Sequence, residues 1–367
     1  MKVVNYAAWI PSHGAELEVA DAPFPTDLAD DEVIIKNKAV AVNPVDWKIQ
    51  SAPEPIFNIK YPNILGSDVA GEVVGAGASV KHLKKGDRVI GHALGLSSGS
   101  PAHGGFQLYP KLKAVTVARI PEAIPFEQAV VLPLSVSTAA AGLYLKDTLG
   151  LQLPTAPGSG SSSSERGGPE EEEEEEEKKK KKKETLLLWG GSSSVGSSVV
   201  QLAVASGYDV VATASPANYD YVKSLGASLV LDYHNPDVVA ILAGLLQASG
   251  ARLAGAYDAI GSDTTVRASA AVVGALGGGR VASVGAAPAD AGGDKVAVVR
   301  IGAANLVARE PEVVKATWGE YVPAALEAGS LVPRPRELVV GRGLYFVQNG
   351  LDTNKAGVSA AKVVITL

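Results

Sequence analysis

The chain has no cysteine. Disulfides, thiolate metal sites and a cysteine nucleophile are therefore excluded. It has no surplus of basic charge either: 33 Lys and Arg against 39 Asp and Glu leave a formal net charge of −6. A general nucleic-acid binder needs a concentrated basic face, so no nucleic-acid partner is expected. No run reads as long and apolar enough to span a bilayer, and the apolar stretch in "MKVVNYAAWIP" is too short for a secretory signal. The expectation is a cytoplasmic protein with no membrane partner. The five histidines (His13, His82, His92, His103, His234) show no ligand spacing such as H-x-x-x-H, so no metal site is expected. "GSSSVG" is not the G-x-S-x-G of a serine hydrolase, and no Gly-Lys-Ser/Thr follows it as a P-loop would require. Aromatic residues, at 5%, do not decide between a monomer and a homodimer.

What is present is apolar mass. The 367 residues are 46% hydrophobic, enough for two domains with buried cores. The first part is strand-like. "DEVIIKNKAVAVN" (Asp31 to Asn43) partly alternates apolar with polar residues, and "AGEVVGAGASV" and "GDRVIG" are short strands punctuated by glycine. From Thr185 the grammar changes to alternating strand and helix: "TLLLW", "SSVVQLAVASG", "DVVATA", "NYDYVKSLG", "SLVLDY". That order implies an α/β fold with a parallel, doubly wound sheet. The final "KVVITL" is strand-like again. Between the two parts, Pro154 to Glu184 is a Gly/Ser linker followed by a Glu block and a Lys block. It reads as a solvated insertion or as a docking handle, with i to i+4 pairs such as Glu174 with Lys178 across the junction.

"WGGSSSVG" follows an apolar strand and opens an amphipathic helix. A dinucleotide fold needs a tight turn there, with the helix aiming its first N–H groups at the pyrophosphate. Gly191, Ser193 and Gly196 occupy the three positions of G-x-G-x-x-G, with serine in the middle. Ser192, Ser194 and Val195 complete the cradle. The alternative is a serine-rich helix cap without a ligand. The second strand ends at Ala214 and Ser215 with no Asp or Glu for the ribose hydroxyls. Ser215, Asn218 and Tyr233 offer neutral donors instead, which favours NADPH over NADH. Gly261 and Gly285 follow later strands, where the backbone can approach the nicotinamide half or simply turn tightly.

The segments "VNPVDWK", "LGSDVAGEVVGAG", "KKGDRVIG", "GGFQLY", "LPLSVSTAAAGL" and "WGGSSSVG" occur in an order that resembles the medium-chain dehydrogenase/reductase superfamily. More narrowly, it resembles the zinc-free quinone-oxidoreductase-like branch and the fungal trans-acting enoyl reductases and toxin-cluster oxidoreductases. The resemblance implies a GroES-like β-rich catalytic domain at 1–132, completed by about 310–367, and a Rossmann domain at 133–309 that carries the 154–184 insertion. Zinc members carry a Cys in the first motif and Gly-His-Glu in the second. Here the two read Asn43-Pro44-Val45-Asp46 and Gly66-Ser67-Asp68, so the Lewis acid is lost. Hydride delivery to an enoyl or enone double bond remains. The resemblance implies that Lys48 and Thr138 line the cleft as catalytic residues, Lys48 toward the substrate carbonyl and Thr138 toward the nicotinamide or carbonyl. It further implies a small-molecule or carrier-bound acyl substrate and a polyketide synthase partner. Without it, Lys48 reads as a surface lysine and Thr138 as a cap or packed hydroxyl. Asn43 and Asp46 are expected to order their loop. A quinone reductase and a non-catalytic NADPH-binding protein are the competing functions.

Overall fold

A computed structural model describes residues 3–54, 57, 59–158 and 184–367. The Glu/Lys blocks, with Glu174 and Lys178, lie outside the described residues. The chain divides into one unit of Met1–Ala139, Ser193–Ser198 and Gly302–Leu367, and another of Ala140–Ser192 and Val199–Ile301.

In the first unit the strands are β1 (Asn5–Ile10), β2 (Glu18–Ala22), β3 (Glu32–Ala41), β4 (Asn63–Ile64), β5 (Asp68–Ala76), β6 (Arg88–His92), β7 (Lys111–Lys113) and β8 (Val117–Arg119). The ten residues of β3 are buried on both faces, apart from Lys36 and a half-covered Lys38. A strand covered on both sides has little reason to alternate, which accounts for the partial period-2 pattern in its sequence. β1 pairs antiparallel with β2 and β4 in a small sheet.

The second unit holds β9 (Thr185–Trp189), β10 (Asp209–Ala214), β11 (Leu229–Asp232), β12 (Leu253–Asp258), β13 (Gly279–Ser283) and β14 (Val296–Arg300). They form one all-parallel sheet in the order β11-β10-β9-β12-β13-β14. The central strand β9 is buried at every residue, as a parallel strand covered by helices on both faces must be. Its core includes Leu187, Leu242, Ala256, Val273 and Val281.

The chain then returns to the first unit with β15 (Arg336–Arg342) and β16 (Ala361–Thr366). β16 pairs antiparallel with β3, so the last strand completes a seven-stranded sheet with β15-β16-β3-β5-β6-β8 in line and β7 beside β3. Its core gathers Ile35, Val69, Val89, Phe106, Leu112 and Val363, all fully buried. Each contributes about 1.5–3 kcal/mol from burial. Phe106 lies against Gly66, which has φ of +93° and whose added Cβ would stand 2.5 Å from the ring. Only glycine serves at that point.

One expectation is corrected. The stretch Phe126–Tyr144 is long and apolar enough to cross a membrane by length and composition. In the structure it is two helices, Phe126–Ala129 and Pro133–Tyr144. Most of it is buried inside the protein, so the folded chain itself accounts for its apolarity.

Candidate active site and cofactor loop

The turn after β9 is built as a dinucleotide loop would be. The Gly190 and Gly191 N–H groups donate to Thr213 of β10, at 3.1 Å to Oγ1 and 2.9 Å to the carbonyl. A Cβ on Gly191 would stand 2.8 Å from Val222 and 3.1 Å from Ala212, so strand and helix pack too closely there for a side chain. In the following stretch, Ser193 Oγ accepts the Gly196 N–H at 3.0 Å and its carbonyl accepts the Ser197 N–H at 2.8 Å. Ser193 is thus a helix cap for Ser194–Ala205. The Ser194 hydroxyl oxygen is sealed from solvent and has no hydrogen-bond partner. An unsatisfied hydroxyl at the N-terminus of a twelve-residue helix is suited to an anion. The residues present fit a dinucleotide phosphate. Val195 is half-buried in the first turn of that helix.

At the end of β10, Asn218 Nδ2 donates to Ser215 Oγ at 3.0 Å and reaches Ser192 Oγ at 3.5 Å. Ser192, Ser215 and Asn218 are therefore brought together. Tyr233 follows β11, exposed and stacked on His234 with ring centroids 4.1 Å apart. Gly261 and Gly285 meet backbone to backbone. A Cβ on Gly285 would stand 1.9 Å from the Gly261 carbonyl oxygen. Sequence reasoning missed what organises them. Asp258, fully buried at the end of β12, accepts the Ile260 and Gly261 N–H groups through Oδ1, and the Thr265 and Ser283 hydroxyls through Oδ2. Ser283 Oγ in turn accepts the Gly285 N–H at 3.1 Å. Burial pushes the Asp258 carboxyl up despite these four donors.

Lys48 is exposed on the helix Pro44–Ser51, its Nζ 5.7 Å from the Trp47 ring centroid. Thr138 is half-buried on Pro133–Tyr144, and its hydroxyl donates to the Leu134 carbonyl at 2.7 Å. One turn earlier, Ser135 Oγ lies 2.8 Å from Ser198 Oγ on the helix after the glycine-serine loop. The Thr138 helix and the loop helix are joined at that point.

Beneath these helices lies a charged cluster that the sequence did not disclose. Asp46 and Asp68 are wholly buried and Lys362 is 3% exposed. Lys362 Nζ stands 2.8 Å from Asp68 Oδ2 and donates to Asn43 Oδ1, while Asn43 Nδ2 donates to Asp68 Oδ2 at 2.8 Å. Asp46 accepts the Asn43 and Gly66 N–H groups, which orders the loop between them. Burial, aided by Asp68, pushes the Asp46 carboxyl up to about 7 against the pull of those N–H groups and Lys362. Burial also pushes the His92 imidazole down to about 4, although Asp68 opposes it. His92 Nδ1 and Trp318 Nε1 both lie on Ser137 Oγ, at 2.9 and 3.0 Å. Trp318 belongs to a π-helical stretch, Lys315–Tyr321, a rare form often found at functional sites. These residues do not fit a zinc ion. The positions that would supply Cys, His and Glu hold Asn43, Ser67 and Asp68, and the Lys362 ammonium already sits on the carboxylate. Among the described residues no group of three or more His, Asp or Glu is placed to hold a metal.

Residues 29–122 match the alcohol dehydrogenase GroES-like domain family, and residues 194–330 match a family described as zinc-binding dehydrogenase. The chain is 40% identical to the trans-enoyl reductase himH of Aspergillus japonicus over 371 residues, covering 100% of this chain and 98% of that protein. It is 38% identical to the dehydrogenase orsE of Emericella nidulans, covering 99% of each. Among solved structures, the Escherichia coli quinone oxidoreductase complexed with NADPH superposes with a TM-score of 0.67 at 21% identity, covering 100% of both chains. The CurK enoyl reductase gives 0.71 at 19% identity, covering 99% of both. At these identities the structural likeness is one of fold.

Proposed function

This chain belongs to the medium-chain dehydrogenase/reductase superfamily, and we propose that it is a zinc-independent, NADPH-dependent reductase of enoyl or enone substrates. The observation that carries the reading is the Ser194 hydroxyl, sealed and unpartnered where a phosphate would meet the helix N-terminus. The trans-enoyl reductase relatives support an enoyl substrate, and the reading extends this to a carrier-bound enoyl thioester and a polyketide synthase partner. We place the catalytic domain at 1–132 completed by about 310–367, and the cofactor domain at 133–309.

A reduced nicotinamide held in this site would supply a hydride to the β-carbon of the conjugated double bond. The electron pair of that bond moves toward the carbonyl oxygen, and a proton from solvent adds at the α-carbon. The Lys48 ammonium, a mobile donor at the end of an exposed stem, stabilises the charge that develops on the oxygen. Thr138, whose hydroxyl donates to Leu134, would line the nicotinamide end of the cofactor. Ser193, Ser194 and the first N–H groups of their helix would hold the pyrophosphate, with Gly191 and Gly196 leaving room for it. Ser192, Ser215 and Asn218 take the ribose end, where β10 ends without a carboxylate to repel a 2′-phosphate. Tyr233 adds a further neutral donor near that end of the sheet. Gly261 and Gly285 would form the wall at the nicotinamide half.

The test is to mix the purified chain with NADPH or NADH and a panel of enoyl thioesters, free enones, quinones and alcohols, and to follow absorbance of the reduced cofactor. Oxidation of NADPH with enoyl thioesters or enones is expected. Turnover with quinones alone would make it a quinone reductase. Tight NADPH binding without any turnover would make it a binding protein.

A further inference from the structure

We propose that Lys362 is a positioning residue for the reduction, its buried ammonium tying together the starts of the two helices that carry Lys48 and Thr138. This rests on the reductase reading above for what those two residues do, but the geometry stands by itself. Lys362 lies on β16 and is only 3% exposed, so its ammonium is largely withdrawn from water. It answers this with two acceptors of the same region, Asn43 Oδ1 and Asp68 Oδ2. Asn43 stands immediately before the helix Pro44–Ser51 that bears Lys48. The other oxygen of Asp68 accepts the N–H of Leu134, in the first turn of the helix Pro133–Tyr144. Leu134 is also the residue whose carbonyl receives the Thr138 hydroxyl. One cation therefore reaches Thr138 through Asp68 and Leu134, and reaches the Lys48 helix through Asn43.

Stability alone does not call for this arrangement. Replacing a buried ion pair by packed apolar groups is often neutral or stabilising, whereas removing one partner leaves a buried charge uncompensated. What the ionic cluster supplies is direction. Charge-assisted bonds are short and angular, and a carboxylate shared by an ammonium, an amide side chain and a helix N–H fixes where that helix begins. An interior ammonium also holds the negative Asp68 beside the already disfavoured Asp46 carboxyl without a metal ion. A shift of about 1 Å in a group that meets the substrate can cost on the order of a hundredfold in rate, so small movements of these helix starts matter.

The test compares wild type with Lys362→Met, Asp68→Asn and the apolar pair Lys362→Met/Asp68→Leu. Three readouts are taken: thermal midpoint, steady-state kinetics with NADPH and an enoyl thioester, and hydrogen exchange in peptides containing the Leu134 amide. Lys362→Met is expected to lose both midpoint and activity. The double variant is expected to regain the midpoint while kcat stays about tenfold or more below wild type, with Leu134 exchange faster and the KM for NADPH within about twofold of wild type. A double variant with restored midpoint, kcat and Leu134 protection would overturn the proposal, because the cluster would then only fill space. If the double variant does not fold, Asp68→Asn decides, since it keeps the volume and loses the charge. Faster Leu134 exchange with a lowered kcat supports the proposal, and wild-type values of both overturn it. If wild type itself turns over no acceptor, the reductase reading fails. Leu134 exchange alone then decides whether Lys362 fixes the helix.

Discussion

Substituting Gly285 with Ala tests the closest approach in the cofactor unit. The new Cβ would stand 1.9 Å from the Gly261 carbonyl oxygen, 2.6 Å from its carbon and 2.7 Å from its Cα. All three are backbone atoms, so no side chain can rotate away. To reach an ordinary contact the two turns must separate by about 1 Å or more, a change of the kind that costs about 1–3 kcal/mol in a packed interior. Separation also stretches the bonds that Asp258 and Ser283 make to these turns, at 3.1 Å to the Gly261 N–H and 3.1 Å to the Gly285 N–H. The bond to the carboxylate alone is worth about 1.5–3 kcal/mol. The expected result is a loss of about 2 kcal/mol or more in the urea transition of this unit, and a Kd for NADPH raised about tenfold or more. Gly244→Ala is the control. Gly244 lies inside the helix Val238–Ser249 with nothing within 4 Å of its added Cβ. That change should stabilise the same transition by about 0.5–1 kcal/mol. Equal stability of Gly285→Ala and wild type would refute the contact between the two turns and, with it, the wall assigned to the nicotinamide half.

Ser194→Ala should leave the urea transition within about 0.5 kcal/mol, or raise it, because it deletes a buried hydroxyl that has no partner. Fluorescence titration should show NADPH binding weakened about tenfold, and unaltered binding would remove Ser194 from the phosphate site. Lys48→Ala should lower kcat while stability stays within about 0.5 kcal/mol, since Lys48 is exposed. Full turnover in that variant would remove Lys48 from the mechanism. Two carboxyls give the first unit opposite pH slopes. Burial pushes the Glu32 carboxyl up, but His103, the Ala29 N–H, Lys111 and Lys113 outweigh it and hold it down at about 2. Its contribution is present above about pH 4.5 and is lost as pH falls toward 2, so Glu32→Gln should flatten acid unfolding there. Asp46 has the reverse sign: its folded value of about 7 lies above the ordinary 3.8, so stability falls as pH rises from 3.8 through 7. Asp46→Asn should flatten that slope in urea titrations at pH 5 and 8, and an unchanged slope would mean that the carboxyl is not buried as described.

The parts of the fold that were legible are those written in short stretches of chain. β9 to β11 announced themselves as apolar runs separated by helical periods, and a parallel sheet buried on both faces leaves no other pattern. The turn after β9 was legible because a strand end, a glycine-serine turn and a helix start are all local requirements. What stayed hidden was long-range polarity. Lys362 sits in "AKVVITL", where a lysine before an apolar run reads as the solvated end of a strand. Its partners, Asn43 and Asp68, lie at the other end of the chain, and β16 meets β3 only through the fold. The motif comparison set Asn43, Ser67 and Asp68 where zinc members of the superfamily carry Cys, His and Glu, but absence of a ligand set does not say what fills the space. Asp258 was overlooked for a different reason. "YDAIG" ends a strand, and an acid at a strand end is normally solvated. Here it turns inward because two N–H groups and two hydroxyls converge on it. In both places the sequence supplies a charge and the fold supplies the reason it can be buried. On the proposal made for Lys362, the site is ordered by residues whose local sequence looks like surface, and a buried charge with its partners named is where that proposal is most open to test.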